Sequence, residues 1–266
     1  MDILDSQEPM HEDLKPSLDD LVQDGYYFSF GRFWNSAMDV FKQCWGWVGL
    51  FIILVSFVGN ILGLIPGFSF VWSFIQGAIM AGILLHCAAV YKRKKPDFND
   101  FFKILKHLGP LIGYNLLIGL VVVVFFIPLG IQFWELGIFD GMSDASWMLD
   151  IQDDPSYGED IVYAVLSNLP LIGIGLVVAM VLKVLFYMVQ PLMIFGGLPL
   201  AKALKYSFNI TKHHFFPLLG FNIVAALFSF VGVLACGVGW VFTAGFVFMA
   251  MLAFYEDLVG LQPKTH

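Results

Sequence analysis

The apolar residues of this chain are concentrated in four runs that contain no Asp, Glu, Lys or Arg. The runs cover residues 43–91, 107–134, 161–182 and 213–255. A helix needs about 20 apolar residues to cross a bilayer, so the first and last runs are each long enough for two crossings. Turn signals divide them, at Pro66-Gly67 in the first run and at Gly237-Val238-Gly239 in the last. The pattern therefore predicts six transmembrane helices.

The composition of the chain agrees with this interpretation. Apolar residues make up 59% of it and charged residues 13%, whereas a soluble domain carries roughly 25% charged residues. Helices are the expected spanning form because they satisfy their own backbone hydrogen bonds, and the alternation typical of membrane strands is absent. We predict an all-α integral membrane fold with spans at residues 44–65, 68–91, 109–133, 163–190, 215–236 and 238–256.

The distribution of Lys and Arg predicts which way the spans run, because basic residues in short loops mark the cytoplasmic side. With six spans, all Lys and Arg residues fall on one side except Lys183, which lies within the fourth span. The connection between the third and fourth spans, residues 134–160, carries eight Asp and Glu residues and no Lys or Arg. Both termini are therefore predicted to be cytoplasmic, with this acidic connection outside. The net charge of −7 combines basic residues on the cytoplasmic side with an acidic connection on the other side, so it does not indicate binding of nucleic acid.

One phrase in the sequence occurs twice, as KHLGPLIGYN at residues 106–115 and as KHHFFPLLGFN at residues 212–222. Apolar residues recur at helical spacing ahead of both, and the segment FGRFWNSAMDVFKQCWGWVGL supplies a third version ahead of the first span. We predict three parallel repeats, each an amphipathic helix on the cytoplasmic interface followed by a hairpin of two spans. The repeats cover residues 28–92, 97–197 and 199–257 of a single membrane domain, residues 28–257. The phrase would mark the elbow where the interfacial helix turns into the membrane.

The residues of the phrase suit such an elbow. Pro is tolerated in the first turn of a helix, and Gly113 and Gly220 are expected to let helices approach closely. Asn115 and Asn222 lie deeper in the spans, where an amide needs a partner. We expect both to bond to neighbouring helices, and contact with a ligand is the alternative.

Motifs typical of catalysis are missing from the sequence. It has no Gly-rich phosphate-binding loop, HExxH, CxxC or Ser nucleophile elbow, so no catalytic, cofactor-binding or metal-binding residue is predicted. Gly-rich stretches such as GIGIG at residues 172–176 are expected to serve helix packing. Cys44, Cys87 and Cys236 lie in or beside spans and are interpreted as reduced packing residues.

Lys183 is the one formal charge inside a predicted span. Its long side chain could extend toward the cytoplasmic interface, or it could contact a substrate or a lipid phosphate. Gln190 and Pro191 follow it, and Pro191 is expected to break or kink the helix and free backbone carbonyl groups. We therefore predict that this region is the least regular one at membrane depth.

Basic residues near the cytoplasmic ends of the spans are candidate contacts for anionic lipid headgroups, at about 1 kcal/mol per charge. They are Lys92, Arg93, Lys94, Lys95, Lys106 and Lys212. The positive-inside rule alone would also place them there, so both interpretations stay open.

On the same side we expect the histidines to anchor helices at the interface, rather than to bind metal or sense pH. They are His86, His107, His213 and His214.

The two ends of the chain are predicted to be cytoplasmic tails. Eight acidic residues and one Lys precede Gly25, so residues 1–27 are expected to be disordered and could bind a protein partner. Residues 258–266 form the shorter C-terminal tail.

Three units of this form, the last reading ALKYSFNITKHHFFPLLGFNIVAALFSFVGVLACGVGWVFTAGFVFMAMLAFYEDL, resemble a group of six-span bacterial inner-membrane proteins. That group is related in pattern to the membrane domain attached to some glycerophosphodiester phosphodiesterases. The resemblance covers residues 28–257. It implies a bacterial plasma membrane and a link to lipid or envelope homeostasis, and it supplies no catalytic residues.

The function that we expect is a non-enzymatic one, in which the protein holds lipid, acts as a scaffold or supports membrane homeostasis. The alternative is a transporter or channel for a small solute or lipid, with a path between the repeats. Such a path would require its polar residues to converge; they are Asn60, Gln76, Asn115, Lys183, Gln190 and Asn222. An intramembrane enzyme is a third interpretation, which the lack of paired acid, base or nucleophilic groups disfavours.

The predicted orientation can be tested with single added cysteines and a membrane-impermeant maleimide. Asp150→Cys should be labelled from outside intact cells, whereas Lys94→Cys should react only after the membrane is opened, because the two positions lie on opposite sides. The parent chain controls for labelling of its own cysteines. Labelling of both positions from the same side would overturn the predicted topology.

Overall fold

A computed structural model of the chain describes residues 18–23, 25–65, 68–92, 95–138, 155–234 and 238–261. Within these residues the regular structure is helical and contains no strand. The α-helices are α1 (Leu18–Gln23), α2 (Phe30–Gly63), α3 (Phe68–Met80), α4 (Gly82–Tyr91), α5 (Leu108–Val123), α6 (Ile127–Glu135), α7 (Pro155–Leu185), α8 (Val189–Ile194), α9 (Leu200–Thr211), α10 (Phe215–Leu234), α11 (Val238–Thr243) and α12 (Phe246–Leu258). Further 3-10 helices occupy Phe98–His107, Val124–Phe126 and Lys212–His214, and the first of these is called the long 3-10 helix.

Several helices are suited to a membrane. Among the described residues, four helical stretches are long and apolar enough to cross a bilayer: Phe30–Gly63, Val71–Tyr91, Phe98–Glu135 and Gly158–Leu185. The chain is therefore a multi-pass helical membrane protein, as its sequence predicts. Helices α10 to α12 occupy the ranges predicted for the last two spans.

The first predicted elbow is absent from the structure. Helix α2 runs unbroken from Phe30 to Gly63, so the amphipathic segment and the first span form one helix. No Pro interrupts this stretch, and every helical hydrogen bond can continue through it. At both copies of the repeated phrase the helix type does change. The long 3-10 helix gives way to α5 after His107, and residues Lys212–His214 join α9 to α10.

The helices pack on one another in the order in which they occur in the chain. Helix α2 packs on α3, α3 on α5, α5 on α7, and α7 on α10. Helix α10 packs on α11 and α12, and both of these contact α2, so the order closes into a ring. An ion pair of 2.8 Å between Arg32 of α2 and Asp257 of α12 joins the first and last helices of the ring.

The buried core lies at one end of this ring. Most of the residues in α4 and α12, and all of those in α8, are buried, and α4 and α8 both contact α12. These three helices, with the long 3-10 helix that packs on α4, are called the closed end. Toward the opposite end, large apolar side chains of α2, α6 and α7 are exposed, as at Phe57, Trp134 and Tyr163. Lipid tails are as apolar as these side chains, so helices within a bilayer can leave them uncovered.

Close contacts between helices occur at glycines other than those of the repeated phrase. A Cβ atom at Gly77 would lie 2.8 Å from Nδ2 of Asn115, and one at Gly82 would lie 2.5 Å from the carbonyl oxygen of Phe101. At Gly220 nothing would lie within 4 Å, and at Gly113 the nearest atom would be 3.8 Å away. The prediction that Gly113 and Gly220 permit close approach was wrong, because no neighbouring helix presses on them.

The folded part of the chain begins earlier than the sequence predicts. Residues 18–27 were expected to belong to a disordered tail, yet Leu18–Gln23 form α1, which packs on α9. Leu21 is 1% exposed, and the hydroxyl of Tyr206 donates a hydrogen bond of 2.9 Å to Asp19. The buried Leu21 side chain and the hydrogen bond of Asp19 hold this segment against α9.

Some predicted features lie outside the described residues. They are the turn at Pro66-Gly67, Cys236, the basic residues Arg93 and Lys94, residues 139–154 of the acidic connection, and the tail residues 1–17 and 262–266. Of the turn predicted at Gly237-Val238-Gly239, Gly237 lies outside the described residues, whereas Val238 and Gly239 belong to α11.

Gly82→Ala tests the packing of α4 against the long 3-10 helix. The added methyl group meets a backbone oxygen at 2.5 Å, so we expect lower stability in detergent, by about 1–3 kcal/mol for an overpacked site. Gly220→Ala is the matched control, since its surroundings are open and Ala favours a helix. Thermal unfolding measures both, and a G82A midpoint at or above that of the parent would contradict this packing.

Candidate functional site

The polar residues proposed for a transport path do not form one cluster of mutual contacts. Nδ2 of Asn115 donates to the carbonyl oxygen of Phe74 on α3 at 3.0 Å, as predicted for a bond to a neighbouring helix. Nδ2 of Asn222 instead donates to the carbonyl of Leu218 in its own helix at 2.9 Å, so that prediction was wrong. A carbonyl four residues back is always within reach of a helical Asn, and this bond satisfies the buried amide locally. Asn60 makes the same kind of bond, at 2.9 Å, within α2.

The predicted break near Pro191 is confirmed. Helix α7 ends at Leu185, and α8 begins at Val189. Pro191 has no N–H group to bond to the carbonyl of Tyr187, and its ring would clash with that carbonyl in a continuous helix. The N–H of Val189 bonds to the carbonyl of Phe186 at 3.1 Å, which leaves the carbonyl of Leu185 without its helical partner.

Two hydroxyl groups from α9 satisfy the broken segment. The carbonyl oxygen of Leu185 accepts hydrogen bonds from Oγ of Ser207 at 3.0 Å and from Oγ1 of Thr211 at 2.7 Å. Oγ of Ser207 also accepts a bond of 3.1 Å from the N–H of Met188. Ser207 and Thr211 are both fully buried. Sequence reasoning missed these residues, although two hydroxyl residues four apart on the inner face of an amphipathic helix were a usable signal.

Lys183 and Gln190 lie on either side of this break but in different surroundings. Lys183 is exposed on α7 and makes no ion pair within the described ranges. Gln190 lies in the buried α8, and its Oε1 atom has no hydrogen-bond partner among the described residues. An exposed Lys near the closed end can extend its stem along apolar surface, whereas the Gln190 oxygen is a polar atom enclosed by the core.

His86 clamps the long 3-10 helix to the closed end. Its Nδ1 atom donates to the carbonyl oxygen of Asp97 at 2.9 Å, and its ring stacks on Phe101 with a centroid distance of 4.1 Å. Phe101 stacks in turn on Phe51 of α2 at 4.2 Å. The expected anchoring of His86 at the interface was wrong, because the side chain is fully buried. It serves as a core residue that ties α4, α2 and the 3-10 helix together.

His213 and His214 have different surroundings from His86. His214 packs against the ring of Tyr26 at 4.6 Å, near the N-terminal segment, and His213 is exposed. Over the described part of the chain, no group of three His, Cys, Asp or Glu side chains is placed to hold a metal ion.

Acidic side chains cap the start of the long 3-10 helix. Asp97 Oδ1 accepts from the N–H of Asn99 at 3.0 Å, and Asp100 Oδ2 accepts from the N–H of Asp97 at 3.2 Å. Burial raises the pKa of Asp100, but its ion pair with Lys103 and the Asp97 bond outweigh this and hold the pKa below its usual value. Asp100 therefore favours its ionised form, which pairs with the Lys103 ammonium group.

Several of the predicted basic contacts are exposed at the closed end. Lys92, Lys95 and Lys106 form no ion pair within the described ranges, and Lys212 donates to Oδ1 of Asn209 at 2.8 Å. Arg93 and Lys94 lie outside the described residues. Phe102 and Leu105 on the long 3-10 helix are 41% and 55% exposed. This helix therefore buries one apolar face and presents a second one beside Lys106.

A second polar cluster, which sequence reasoning missed, joins α6 to α7. Nδ2 of the buried Asn168 donates to Oε1 of Gln132 at 2.9 Å and to the carbonyl oxygen of Ala164 at 2.8 Å. Because these bonds satisfy the Asn168 amide, the cluster serves helix association and does not offer a free binding group.

Comparisons with protein-family models, with curated proteins and with solved structures found no match to this chain. Its function must therefore be argued from the geometry of the break, the closed end and the cations around it.

Ser207→Ala tests the role of α9 at the break. The substitution leaves the N–H of Met188 unsatisfied and takes one donor from the carbonyl of Leu185, so we expect a loss of about 1–3 kcal/mol in stability. Ser29→Ala is the matched control, because Ser29 precedes α2 without a capping bond from its side chain. Equal midpoints of thermal unfolding for the two variants would contradict the assigned role.

Proposed function

We propose that this chain is a non-enzymatic integral membrane protein of the bacterial envelope that holds lipid at its cytoplasmic face. The observation that carries the proposal is the second apolar face of the long 3-10 helix. Phe102 and Leu105 are exposed on it next to the exposed Lys106. Apolar side chains beside a cation match the boundary between acyl chains and anionic headgroups.

The proposed topology has six spans in three parallel hairpins within the inner membrane, with both termini in the cytoplasm. The closed end would face the cytoplasm, because Lys92, Lys95, Lys106 and Lys212 are exposed around it. The ring order of the helices supports this arrangement, since each span packs on its neighbours in sequence. The pattern resemblance to the membrane domain of some glycerophosphodiester phosphodiesterases agrees with a lipid-related role and stays a prediction.

Aromatic side chains strengthen the case for an interfacial position. Trp45 and Trp47 of α2 are exposed, and Trp47 contacts Phe98 of the long 3-10 helix with a centroid distance of 5.7 Å. Trp is enriched where headgroups meet hydrocarbon. The aromatic side chains of α2 and the 3-10 helix would then lie at the same depth as the exposed lysines.

Transport remains the second candidate, and one observation favours it. The helix break at Phe186–Met188 lies beside the buried Gln190 oxygen, and broken helices at membrane depth line binding sites in many transporters. Against it, Asn60 and Asn222 bond within their own helices, and Asn115 is satisfied by α3. Binding of a protein partner by the acidic N-terminal tail, residues 1–27, stays a prediction, and residues 1–17 of that tail lie outside the described residues.

The lipid proposal is tested by mass spectrometry of lipids that copurify in mild detergent. We expect Lys92→Gln, Lys95→Gln and Lys106→Gln together to remove most of the retained anionic phospholipid, since three charges at about 1 kcal/mol each strengthen its binding roughly 100-fold. The control removes the same charge from three other exposed lysines, Lys42, Lys202 and Lys205. Equal lipid content in the two triple variants would contradict the proposed site. Thermal stabilisation by a solute, without retained lipid, would favour transport instead.

A further inference from the structure

We propose that α1 and residues 25–28 form a releasable strap, which holds α9 against the helix break between α7 and α8. The strap precedes α2, and residues 25–28 within it have no regular structure. Nothing in the lipid-holding proposal uses these residues. Release of the strap would loosen α9 and, through α9, the hydrogen bonds that tether the break.

Helix α1 docks on α9 through one apolar contact and one polar contact. Leu21 of α1 is 1% exposed, and α1 packs on α9. The hydroxyl of Tyr206 on α9 donates a hydrogen bond of 2.9 Å to Asp19 of α1. Helix α1 is six residues long. Isolated helices shorter than about 12 residues are marginal in water, so α1 depends on its contact with α9.

The second part of the strap lies among aromatic rings. The ring centroid of Tyr26 lies 4.6 Å from that of His214, directly before α10, and 5.5 Å from that of Phe254 on α12. The ring of Phe28 lies 6.3 Å from the same His214 ring and 5.1 Å from that of Phe33 on α2. Aromatic rings at such distances attract one another. The strap therefore joins the connection that follows α9 to α12 and α2.

These contacts lie on both sides of the two hydroxyl residues that satisfy the break. Tyr206 directly precedes Ser207, and His214 follows Thr211 by three residues. Oγ of Ser207 and Oγ1 of Thr211 donate to the carbonyl oxygen of Leu185, at 3.0 Å and 2.7 Å, whereas the Tyr206 hydroxyl donates to the strap. Helix α9 thus lies between the strap and the break, so a shift of α9 affects both.

The strap is held mainly by side chains. Among the described residues, residues 25–28 form no backbone–backbone hydrogen bond. Arg32 donates a bond of 3.2 Å to the carbonyl oxygen of Tyr27, whose side chain is 81% exposed. Gly25 has a φ of +74°, which glycine adopts without strain, so the chain can turn there. A segment with few backbone hydrogen bonds can open locally while the rest of the protein stays folded.

Release is measured as the rate at which a water-soluble maleimide labels Leu21→Cys in the full chain in mild detergent, with the labelled peptide identified by mass spectrometry. Gln23→Cys, exposed on the same helix, gives the rate of an open position, and Leu218→Cys, fully buried in α10, gives the rate of global unfolding. We expect Leu21→Cys to react at least about tenfold more slowly than Gln23→Cys and at least about tenfold faster than Leu218→Cys.

Two results of this labelling would overturn the strap. Equal rates at Leu21→Cys and Leu218→Cys would show that it opens only when the whole protein unfolds. Equal rates at Leu21→Cys and Gln23→Cys would show that α1 is not docked on α9.

The coupling to the break is tested in both directions, because a coupling between two sites is reciprocal. Ser207→Ala removes hydrogen bonds at the break, so we expect it to speed labelling of Leu21→Cys at least about fivefold and that of Leu218→Cys by less. In the other direction, Leu21→Asp should speed hydrogen exchange of the Met188 amide, which bonds to Ser207, whereas Gln23→Asp should not.

The coupling is overturned if either effect is missing. Unchanged labelling of Leu21→Cys, or unchanged exchange of the Met188 amide, would show that the strap and the break are independent. Equal acceleration at Leu21→Cys and Leu218→Cys would assign the effect of Ser207→Ala to global destabilisation, which also contradicts the proposal.

Discussion

Every backbone N–H and C=O group at membrane depth needs a partner within the protein, because hydrocarbon offers none. Helix α2 supplies these partners through its own backbone hydrogen bonds, from Phe30 to Gly63. The segment between α7 and α8 lacks some of them, because Pro191 interrupts the helical hydrogen bonds. Ser207 and Thr211 of α9 supply the missing partners. The break therefore depends on α9, and α9 is in turn held against the closed end by the groups it satisfies.

Association of the spans depends on close approach and on polar bonds, because apolar side chains gain little by leaving lipid for protein. The contact of α3 with α5 shows both. Asn115 fits against Gly77, where a Cβ would be too close, and bonds to the carbonyl of Phe74 at 3.0 Å. Asn168 of α7 likewise joins α7 to α6, because its Nδ2 atom donates a hydrogen bond to Gln132. Neighbouring helices are thus joined at points where a small residue or an amide replaces a bulky side chain.

Features that depend on a single residue, or on a run of apolar residues, could be predicted from the sequence. Charge-free runs predicted the long helices, and Pro191 predicted the break, because their effects are local. Which glycine lies against a neighbouring helix depends on residues far away in the sequence. Gly113 and Gly82 both lie in apolar helical segments, yet only Gly82 is in close contact with another helix. The spacing of Ser207 and Thr211 marks them as inward-facing hydroxyl residues, but their role at the break depends on the packing of α9 against α8, which is not local either.

The closed end constrains how any function could work. A path for a solute at this end would have to pass α4, α8 and α12, most of whose residues are buried. Opening it would require α8 to move, and α8 is tethered at the break by Ser207 and Thr211. The long 3-10 helix is held just as firmly by the Phe101 stack and by its acidic cap. A surface that is fixed in this way is preorganised, which agrees better with the proposed holding of lipid than with a transport path that has to open and close.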